Sequence, residues 1–192
     1  MHDSLYACGK ATDKTPEEII GKDVIAKLID IGVKSFGNGM EDKEVRDHII
    51  YGNDFVTVAY DENGSPIGFA GLRIDDGSLY LSAAVVDINF QGEGVYKEMT
   101  KFRIAVGGLD EGKEVRTRTQ NPKVEEGILS ALKTFAKDRK ITVTRDRING
   151  AYGRCLTGER QKTRDEDLNK IYEQLDVNRG DAFVLHFKLV KR

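Results

Sequence analysis

The sequence predicts an α/β fold of the α+β type, with a mixed, mostly antiparallel central sheet flanked by helices. Three consecutive β-rich segments are joined by short turns, a β-α-β-α-β order follows, and two helical segments show regular apolar spacing. A length of 192 residues suits one domain. We therefore expect a single domain over 1–192, with a polar helical insertion at about 149–181.

The chain begins with a short predicted strand, Leu5-Tyr6-Ala7-Cys8, followed by two helices. Thr15-Pro16-Glu17-Glu18 indicates a helix start, because threonine caps, proline suits the first helical position, and the second glutamate completes a capping box. Apolar residues recur at helical spacing from 20 to 31, and Gly37-Asn38-Gly39 is expected to end this helix. A second, short helix is predicted around 41–50.

A three-stranded antiparallel unit comes next. The strands 55–60 and 67–74 flank Asn63-Gly64, a dipeptide typical of tight hairpin turns because it tolerates positive φ. A third strand, 79–86, ends in the apolar run Ala83-Ala84-Val85-Val86. That run indicates a strand covered on both faces.

The second half of the chain alternates helices and strands. We predict a helix over 95–106, a strand over 115–120, and a helix that opens at Asn121-Pro122 and runs through Phe135. Two further strands are predicted at 141–147 and 182–189, with the insertion between them.

Composition narrows the class of protein. Hydrophobic residues make up 39% of the chain, charged residues 32%, and the net charge is −2, which suits a soluble globular protein and gives no global basic field for nucleic acid. Two distant cysteines and three scattered histidines predict no metal site. The first residues lack signal-peptide features and no apolar run is long enough to span a bilayer, so we expect a cytoplasmic protein.

The loop Gln91-Gly92-Glu93-Gly94-Val95-Tyr96 carries the most functional information. It lies between an apolar strand and a helix start, where two glycines allow close backbone approach and the first helical N–H groups attract an anion such as a pyrophosphate. Lys97 occupies the third glycine position of a dinucleotide fingerprint, which excludes that motif, and the lysine-serine/threonine end of a P-loop is absent. Alone, the loop fits either an anion site or a turn without a ligand.

Together with its flanking elements, this segment resembles the Gcn5-related N-acetyltransferases (GNAT), which carry a Gln/Arg-x-x-Gly-x-Gly/Ala loop after their fourth strand. Val86 ends the strand, Phe90 supplies an aromatic residue, and Gln91-Gly92-Glu93-Gly94 follows at the family spacing. Asn121-Pro122 stands where the family has Asn-Pro after its fifth strand. The motif covers 86–97, and the order of elements matches over most of the chain.

The resemblance implies an acyltransferase with acetyl-CoA (coenzyme A) as cosubstrate, an amine-bearing acceptor and direct acetyl transfer. Strand backbone would pair with the pantetheine arm where the fourth and fifth strands part, and loop amides would hold the pyrophosphate. The cofactor-binding residues that the resemblance implies are Ala84, Val85, Val86, Gln91, Gly92, Glu93, Gly94, Val95, Tyr96, Lys97 and Asn121.

The sequence departs from the family pattern at two positions. Tyr96 stands where the family has Gly or Ala, so its ring either points away from the phosphates or narrows the site. Ile128 occupies the position of a family tyrosine that protonates the leaving thiolate.

Asp87 as a base and Tyr152 as an acid are the catalytic candidates. Ser130 is a second candidate for the acid, and Cys155 is a candidate nucleophile without a histidine partner in the sequence. The alternative is a GNAT-fold binding module that holds acyl-CoA or a protein partner without turnover.

The region 133–164 is rich in basic residues, which fits a solvated face, an anionic substrate, an RNA-linked partner or the ribose phosphate of the cofactor. Nucleic acid is not favoured, because no aromatic side chains interleave with the charges, and no membrane partner is expected. The predicted helix 165–175 has an apolar face that needs either the core or another subunit, which leaves a homodimer open.

Overall fold

The computed structural model describes residues 2–7, 14–36, 40–109 and 112–191, with backbone only for 2–7, 48 and 49. The strands are β1 (His2–Ala7), β2 (Phe55–Tyr60), β3 (Pro66–Asp75), β4 (Ser78–Val86), β5 (Glu114–Thr119), β6 (Arg139–Ile148) and β7 (Ala182–Lys191). The helices are α1 (Pro16–Ile20), α2 (Lys22–Phe36), α3 (Asp42–Glu44), α4 (Val95–Val106), α5 (Pro122–Ala136) and α6 (Glu166–Tyr172).

The seven strands form one sheet in the order β1-β2-β3-β4-β5-β7-β6. Every neighbouring pair is antiparallel except β4 and β5, which are parallel. This arrangement confirms the predicted mixed, mostly antiparallel sheet. The crossover from β4 to β5 passes through α4, and α5 joins β5 to β6.

The first predicted helix is present but divided. Thr15 forms the capping box with Glu18, and Gly21, at φ +96°, separates α1 from α2. The short helix predicted around 41–50 forms as α3 followed by a π-helical turn, Val45–Ile50. Cys8 and the segment 37–39, predicted to end a strand and a helix, lie outside the described residues.

Helices cover the two faces of the sheet unequally. On one face, α4, α5 and α6 pack over a core that includes Leu81, Ile128 and Leu185. On the other face, α1 and α2 pack over β2, β3 and β4. The same face continues onto β5 and β7, where Arg116 pairs with His186. Polar side chains therefore replace the apolar ones on this part of the face.

The insertion packs against the core of its own chain, which decides between the two partners that its sequence left open. Leu168 and Tyr172 of α6 are buried in the same cluster as Ile128 of α5. Glu125, fully buried on α5, accepts hydrogen bonds from Arg145 Nε of β6 at 3.0 Å and from the Tyr172 hydroxyl at 3.1 Å. Helix, strand and insertion therefore meet at one buried carboxylate.

The basic stretch 133–164 supplies many of these internal contacts. Arg147 pairs with Asp181, and Arg154 reaches Glu44 on α3 at 2.8 Å. Arg160 donates to the carbonyls of Tyr172, the last residue of α6, and of Leu175, three residues beyond it. Four arginines of this region, Arg145, Arg147, Arg154 and Arg160, therefore help to hold the insertion in place.

Replacing Arg145 with Met should lower the free energy of unfolding by about 3 kcal/mol, because it leaves the Glu125 carboxylate buried without a counter-charge. Urea unfolding measures the change. The matched control is Lys170→Met, since Lys170 and Asp167 are exposed and their pair should contribute less than about 0.5 kcal/mol. Equal effects of the two substitutions would show that Glu125 does not need Arg145.

Candidate functional site

The strands β4 and β5 are paired only at their beginnings. Their parallel ladder covers Leu79 with Val115 and Tyr80 with Arg116. The Thr117 hydroxyl then donates to the Leu81 carbonyl at 2.7 Å, and no ladder pair follows. The two strands therefore part, and their unpaired edges form the sides of an opening.

A β-bulge in β4 lies at the level where the strands part. The register between β3 and β4 shifts so that Gly71 faces two residues, Ser82 and Ala83. The approach is so close that a Cβ on Gly71 would lie 2.2 Å from the Ser82 hydroxyl. Because a bulge bends its strand, this feature accounts for the direction in which β4 leaves β5.

A buried guanidinium holds the bulge. Arg103 of α4 is 1% exposed and donates to the carbonyls of Gly71 at 2.8 Å and Ser82 at 3.2 Å, and to the Thr100 hydroxyl at 3.1 Å. Burial lowers the pKa of Arg103 to about 10, and Tyr96 opposes that fall. The side chain remains charged at neutral pH and ties α4 to the bent strand.

The opening widens into a cavity of about 960 Å³. Its walls come from β4, the end of β5, the start of α5 and the insertion. The structure brings these predicted site residues together in its lining: Ala84, Val85, Val86, Asp87, Gln91, Tyr96, Asn121 and Tyr152. The other predicted residues, Gly92, Glu93, Gly94, Val95 and Lys97, belong to the loop and the first turn of α4 rather than to the lining.

The glycine loop has the geometry of an anion site. Gly92 and Gly94 have φ values of +87° and +85°, and a Cβ on either would meet nothing within 4 Å. Gly94 precedes α4 without a side-chain cap, so the first-turn N–H groups are left for a ligand or solvent. The Gln91 side chain donates to the Val86 carbonyl at 3.1 Å, tying the loop to the strand end, a contact that sequence reasoning did not anticipate.

The Tyr96 ring points towards α5 rather than over the loop. A Cβ on Gly127 would lie 2.4 Å from Tyr96 Cε1, so the missing side chain of Gly127 provides the space for this ring. The Tyr96 hydroxyl lies 3.5 Å from the Val124 carbonyl. The sequence left open whether this ring points away from the phosphates or narrows the site. The ring lines the cavity between α4 and α5 and leaves the loop glycines uncovered.

Asn121 and Asp87 both act as local caps. Asn121 Oδ1 accepts from the Lys123 backbone N–H at 2.9 Å at the start of α5. Asp87 Oδ1 accepts from the backbone and side-chain nitrogens of Asn89, each at 3.0 Å. Asp87 lies five residues beyond Ser82, roughly 16 Å at the usual rise of a strand. Its role as a base remains a prediction, at the loop end of the cavity.

Tyr152 is held by the protein on two sides. Its hydroxyl donates to the Arg118 carbonyl at 2.7 Å, and its backbone N–H donates to the Gly180 carbonyl at 3.0 Å. Burial raises the pKa of Tyr152 to about 12, and Arg118 opposes the rise. A thiolate derived from a thiol of pKa about 8.5 would take a proton from this phenol only against a large difference in acidity. The acid role of Tyr152 remains a prediction.

Two further cavity-lining residues, Arg118 and Gln120, were missed by sequence reasoning. The alternation of charged with apolar or threonine side chains along β5 was a signal for Arg118, because it places Glu114, Arg116 and Arg118 on one face. Gln120 Nε2 donates to the Arg154 carbonyl at 3.0 Å, and its Oε1 accepts from the Leu156 N–H at 3.0 Å. It fixes the insertion against the end of β5.

Ile128, at the family acid position, and the other two candidates, Ser130 and Cys155, are not part of the cavity lining. Ile128 is fully buried in the core. Cys155 packs partly buried against the core, with its sulfur 4.0 Å from the Thr157 hydroxyl. In the described ranges, no three His, Cys, Asp or Glu side chains are grouped to hold a metal ion, and no helix combines the length and apolarity needed to cross a membrane.

Several solved structures share this architecture over the whole chain. A ribosomal-protein-S18-alanine N-acetyltransferase from Escherichia coli aligns over 100% of this chain and 96% of its own, with a TM-score of 0.55 and 9% identity. A GNAT superfamily phosphinothricin acetyltransferase from Sinorhizobium meliloti, solved with AcCoA, aligns over 100% and 90%, with a TM-score of 0.53 and 9% identity.

The chain has the GNAT fold. An aminoglycoside 6'-acetyltransferase type Ii shares this GNAT fold over 100% of this chain and 99% of its own, with a TM-score of 0.53 and 12% identity. No family model and no curated protein matches the sequence. The likeness is therefore one of architecture, and the predicted fold class is confirmed.

Replacing Gly127 with Val should lower the free energy of unfolding by about 1–3 kcal/mol, because the new side chain overlaps the Tyr96 ring. In a Tyr96→Ala background the same substitution should cost less, since the ring has been removed. Urea unfolding of the four proteins in this double-mutant cycle measures the coupling. An equal cost in both backgrounds would contradict the packing of Tyr96 on Gly127.

Proposed function

We propose that this chain is an acyl-CoA-dependent N-acyltransferase that transfers an acetyl group directly to an amine. The observation that carries the proposal is the opening between β4 and β5 beside the uncapped N-terminus of α4. An extended, amide-rich arm fits the unpaired strand edges, and a pyrophosphate fits the free N–H groups of the helix. The acetyltransferase names of the solved structures that share the fold support it.

The residues present fit coenzyme A along the free edge of β4 and at the glycine loop. The Asp87 N–H donates to Ile67 of β3, so strand alternation turns the backbone groups of Val86 and Ala84 towards the opening. The Val86 carbonyl already accepts from Gln91 and, at 3.4 Å, from Ser35, which leaves Ala84 as the strand residue best placed to pair with the pantetheine arm.

At the loop, we assign the pyrophosphate to the amides of Val95, Tyr96 and Lys97. These are first-turn N–H groups that an α-helix cannot satisfy internally, and the positive end of the helix dipole adds to their attraction for an anion. The open space around Gly92 and Gly94 allows the phosphates to approach the backbone. Glu93 is exposed, and Lys97 adds a nearby positive charge.

Bound acyl-CoA supplies an activated carbonyl carbon: the amine nitrogen forms a C–N bond as the C–S bond breaks, the nitrogen loses a proton and the thiol gains one. The contribution of this chain is alignment of the two reactants between the parted strands and a fixed wall around them. Asp87 as proton acceptor remains a prediction for this reaction, whereas the raised pKa of Tyr152 and its bond to the Arg118 carbonyl weigh against its predicted role as proton donor.

The second candidate function is a binding module with the same fold that holds acyl-CoA or a protein partner without turnover. Two observations favour it. Ile128 fills the position of the family acid with a buried apolar side chain, and the Tyr152 hydroxyl is already bonded to the Arg118 carbonyl. Both candidates require coenzyme A or a partner to occupy the opening, and only thiol release separates them.

Acetyl-CoA at about 100 times its dissociation constant should raise the melting temperature of the protein by about 5 °C or more. Gly94→Glu should abolish this shift, because it places a carboxylate beside the phosphates. The matched control is Gly64→Glu in the β2–β3 turn, where φ is +78° and a Cβ also meets nothing within 4 Å. Both variants place a glutamate at positive φ and carry the same kind of backbone strain. Loss of the acetyl-CoA shift in Gly94→Glu but not in Gly64→Glu, measured by differential scanning fluorimetry, would therefore report lost ligand binding rather than strain.

No shift in the native protein at millimolar acetyl-CoA would overturn cofactor binding. A normal shift in Gly94→Glu would show that the glycine loop is not where the phosphates bind.

Tyr152→Phe should reduce the rate of thiol release with an amine acceptor by less than about 10-fold and leave its pH profile between pH 6 and 9 unchanged. The reason is that a phenol with a pKa of about 12 does not titrate in that range. A fall of about 100-fold or more, the size expected for removal of a general acid, would instead establish Tyr152 as the proton donor. Absence of thiol release from the native protein with every amine would favour the binding module.

A further inference from the structure

Two arginines in the cavity wall stack on tyrosine rings. The Arg73 guanidinium lies 4.7 Å from the centre of the Tyr80 ring, and that of Arg118 lies 4.5 Å from the centre of the Tyr152 ring. Arg73 is also paired with Asp75, with nitrogen–oxygen distances of 2.7 to 2.9 Å. Arg118 has no such carboxylate within the described part of the chain, so its charge is available to a ligand.

The other cations around the cavity already have hydrogen-bond or ion-pair partners within the protein. Arg103 is directed at backbone carbonyls, and Arg154 pairs with Glu44 at 2.8 Å. Lys34 pairs with Asp30, and Lys123, at the start of α5, donates to Gln161 at 3.1 Å. Arg118 is the arginine in the wall whose guanidinium meets neither a carboxylate nor a backbone carbonyl among these contacts, and its neighbour there is Tyr152.

The structure holds the Arg118 guanidinium against a fixed surface. Tyr152 is anchored through its hydroxyl to the Arg118 carbonyl and through its backbone N–H to Gly180. Gln120 anchors the neighbouring part of the insertion. Stacking on a ring covers the face of a guanidinium and leaves its edge N–H groups free for the paired oxygens of a carboxylate or phosphate.

Arg118 lies at the end of the opening that is far from the glycine loop. Arg116 of β5 pairs with Tyr80 of β4. Arg118, two residues further along β5, is therefore level with Ser82, where the strands part. Val86, just before the loop, is four residues further along β4, roughly 13 Å away at the usual strand rise. The coenzyme phosphates at the loop are therefore beyond the reach of Arg118, and the group that it binds belongs to the acceptor.

We propose that Arg118, stacked on Tyr152, binds a carboxylate or phosphate carried by a small acceptor amine. The acceptor is then an anionic amine, such as an amino acid or an amino phosphate, oriented by its anionic group so that its nitrogen reaches the point where β4 and β5 separate. This inference rests on the proposed function, since it takes the loop as the site of the coenzyme phosphates.

The test is calorimetric titration of the protein, with and without saturating coenzyme A, against two matched pairs of amines: β-alanine and β-alaninamide, and O-phosphoethanolamine and ethanolamine. We expect, in at least one pair, the amine that carries the carboxylate or phosphate to bind at least about 10-fold more tightly than the amine that lacks it. The pair with the larger preference assigns carboxylate or phosphate. Thiol release with the same amines should show the preference in KM rather than in kcat.

Arg118→Gln should remove the preference: binding of the amine with the carboxylate or phosphate should weaken about 10- to 100-fold, and binding of the amine without that group should stay unchanged. Arg73→Gln is the matched control, because Arg73 also stacks on a tyrosine but its charge is balanced by Asp75. It should keep the preference.

Equal binding of the amines with and without the anionic group, or a preference that survives Arg118→Gln, would overturn the inference. If the native protein does not bind coenzyme A, the proposed function is refuted instead. The titrations without coenzyme A would still show whether Arg118 binds the anionic group of the amine.

Discussion

The separation of β4 from β5 is the constraint on which the site depends, and a buried arginine maintains it. Arg103 places its guanidinium on the carbonyls of Gly71 and Ser82, where the bulge interrupts the regular ladder. A charged group is costly to bury, and here its cost is offset by hydrogen bonds to carbonyls that the bend would otherwise leave poorly satisfied. The opening begins at the level of this contact, where the bulge bends β4 away from β5.

Around that opening, the two ends of the cavity are built by different means. At the loop end, backbone geometry dominates: two glycines with positive φ, an uncapped helix and the Gln91 contact to Val86 create a place for an anion. At the opposite end, side chains dominate, because the insertion is fixed by Gln120 and by ion pairs such as Arg154 with Glu44. The protein thus builds one end of the cavity mainly from backbone groups and the other mainly from side chains.

This division bears on function. An anion site after a strand suits a cofactor whose phosphates are held by backbone amides, and such a site tolerates large changes of side chain, as the accommodation of Tyr96 over Gly127 shows. Proton transfer needs side chains of suitable pKa in suitable places, and the two candidates are occupied: Asp87 caps Asn89, and Tyr152 bonds to Arg118. Alignment of reactants is the contribution for which the structure offers the clearest means.

The sequence by itself determined the order of elements, the hairpin turn at Asn63-Gly64, the capping box at Thr15 and the glycine loop before α4, because each depends on neighbours within a few residues. Only the tertiary structure decided where the Tyr96 ring lies, that the insertion packs on its own core through Glu125, and that Arg118 meets Tyr152 across 34 residues of chain. Those contacts join residues far apart in sequence, and their geometry depends on how strands and helices pack, which no local pattern records.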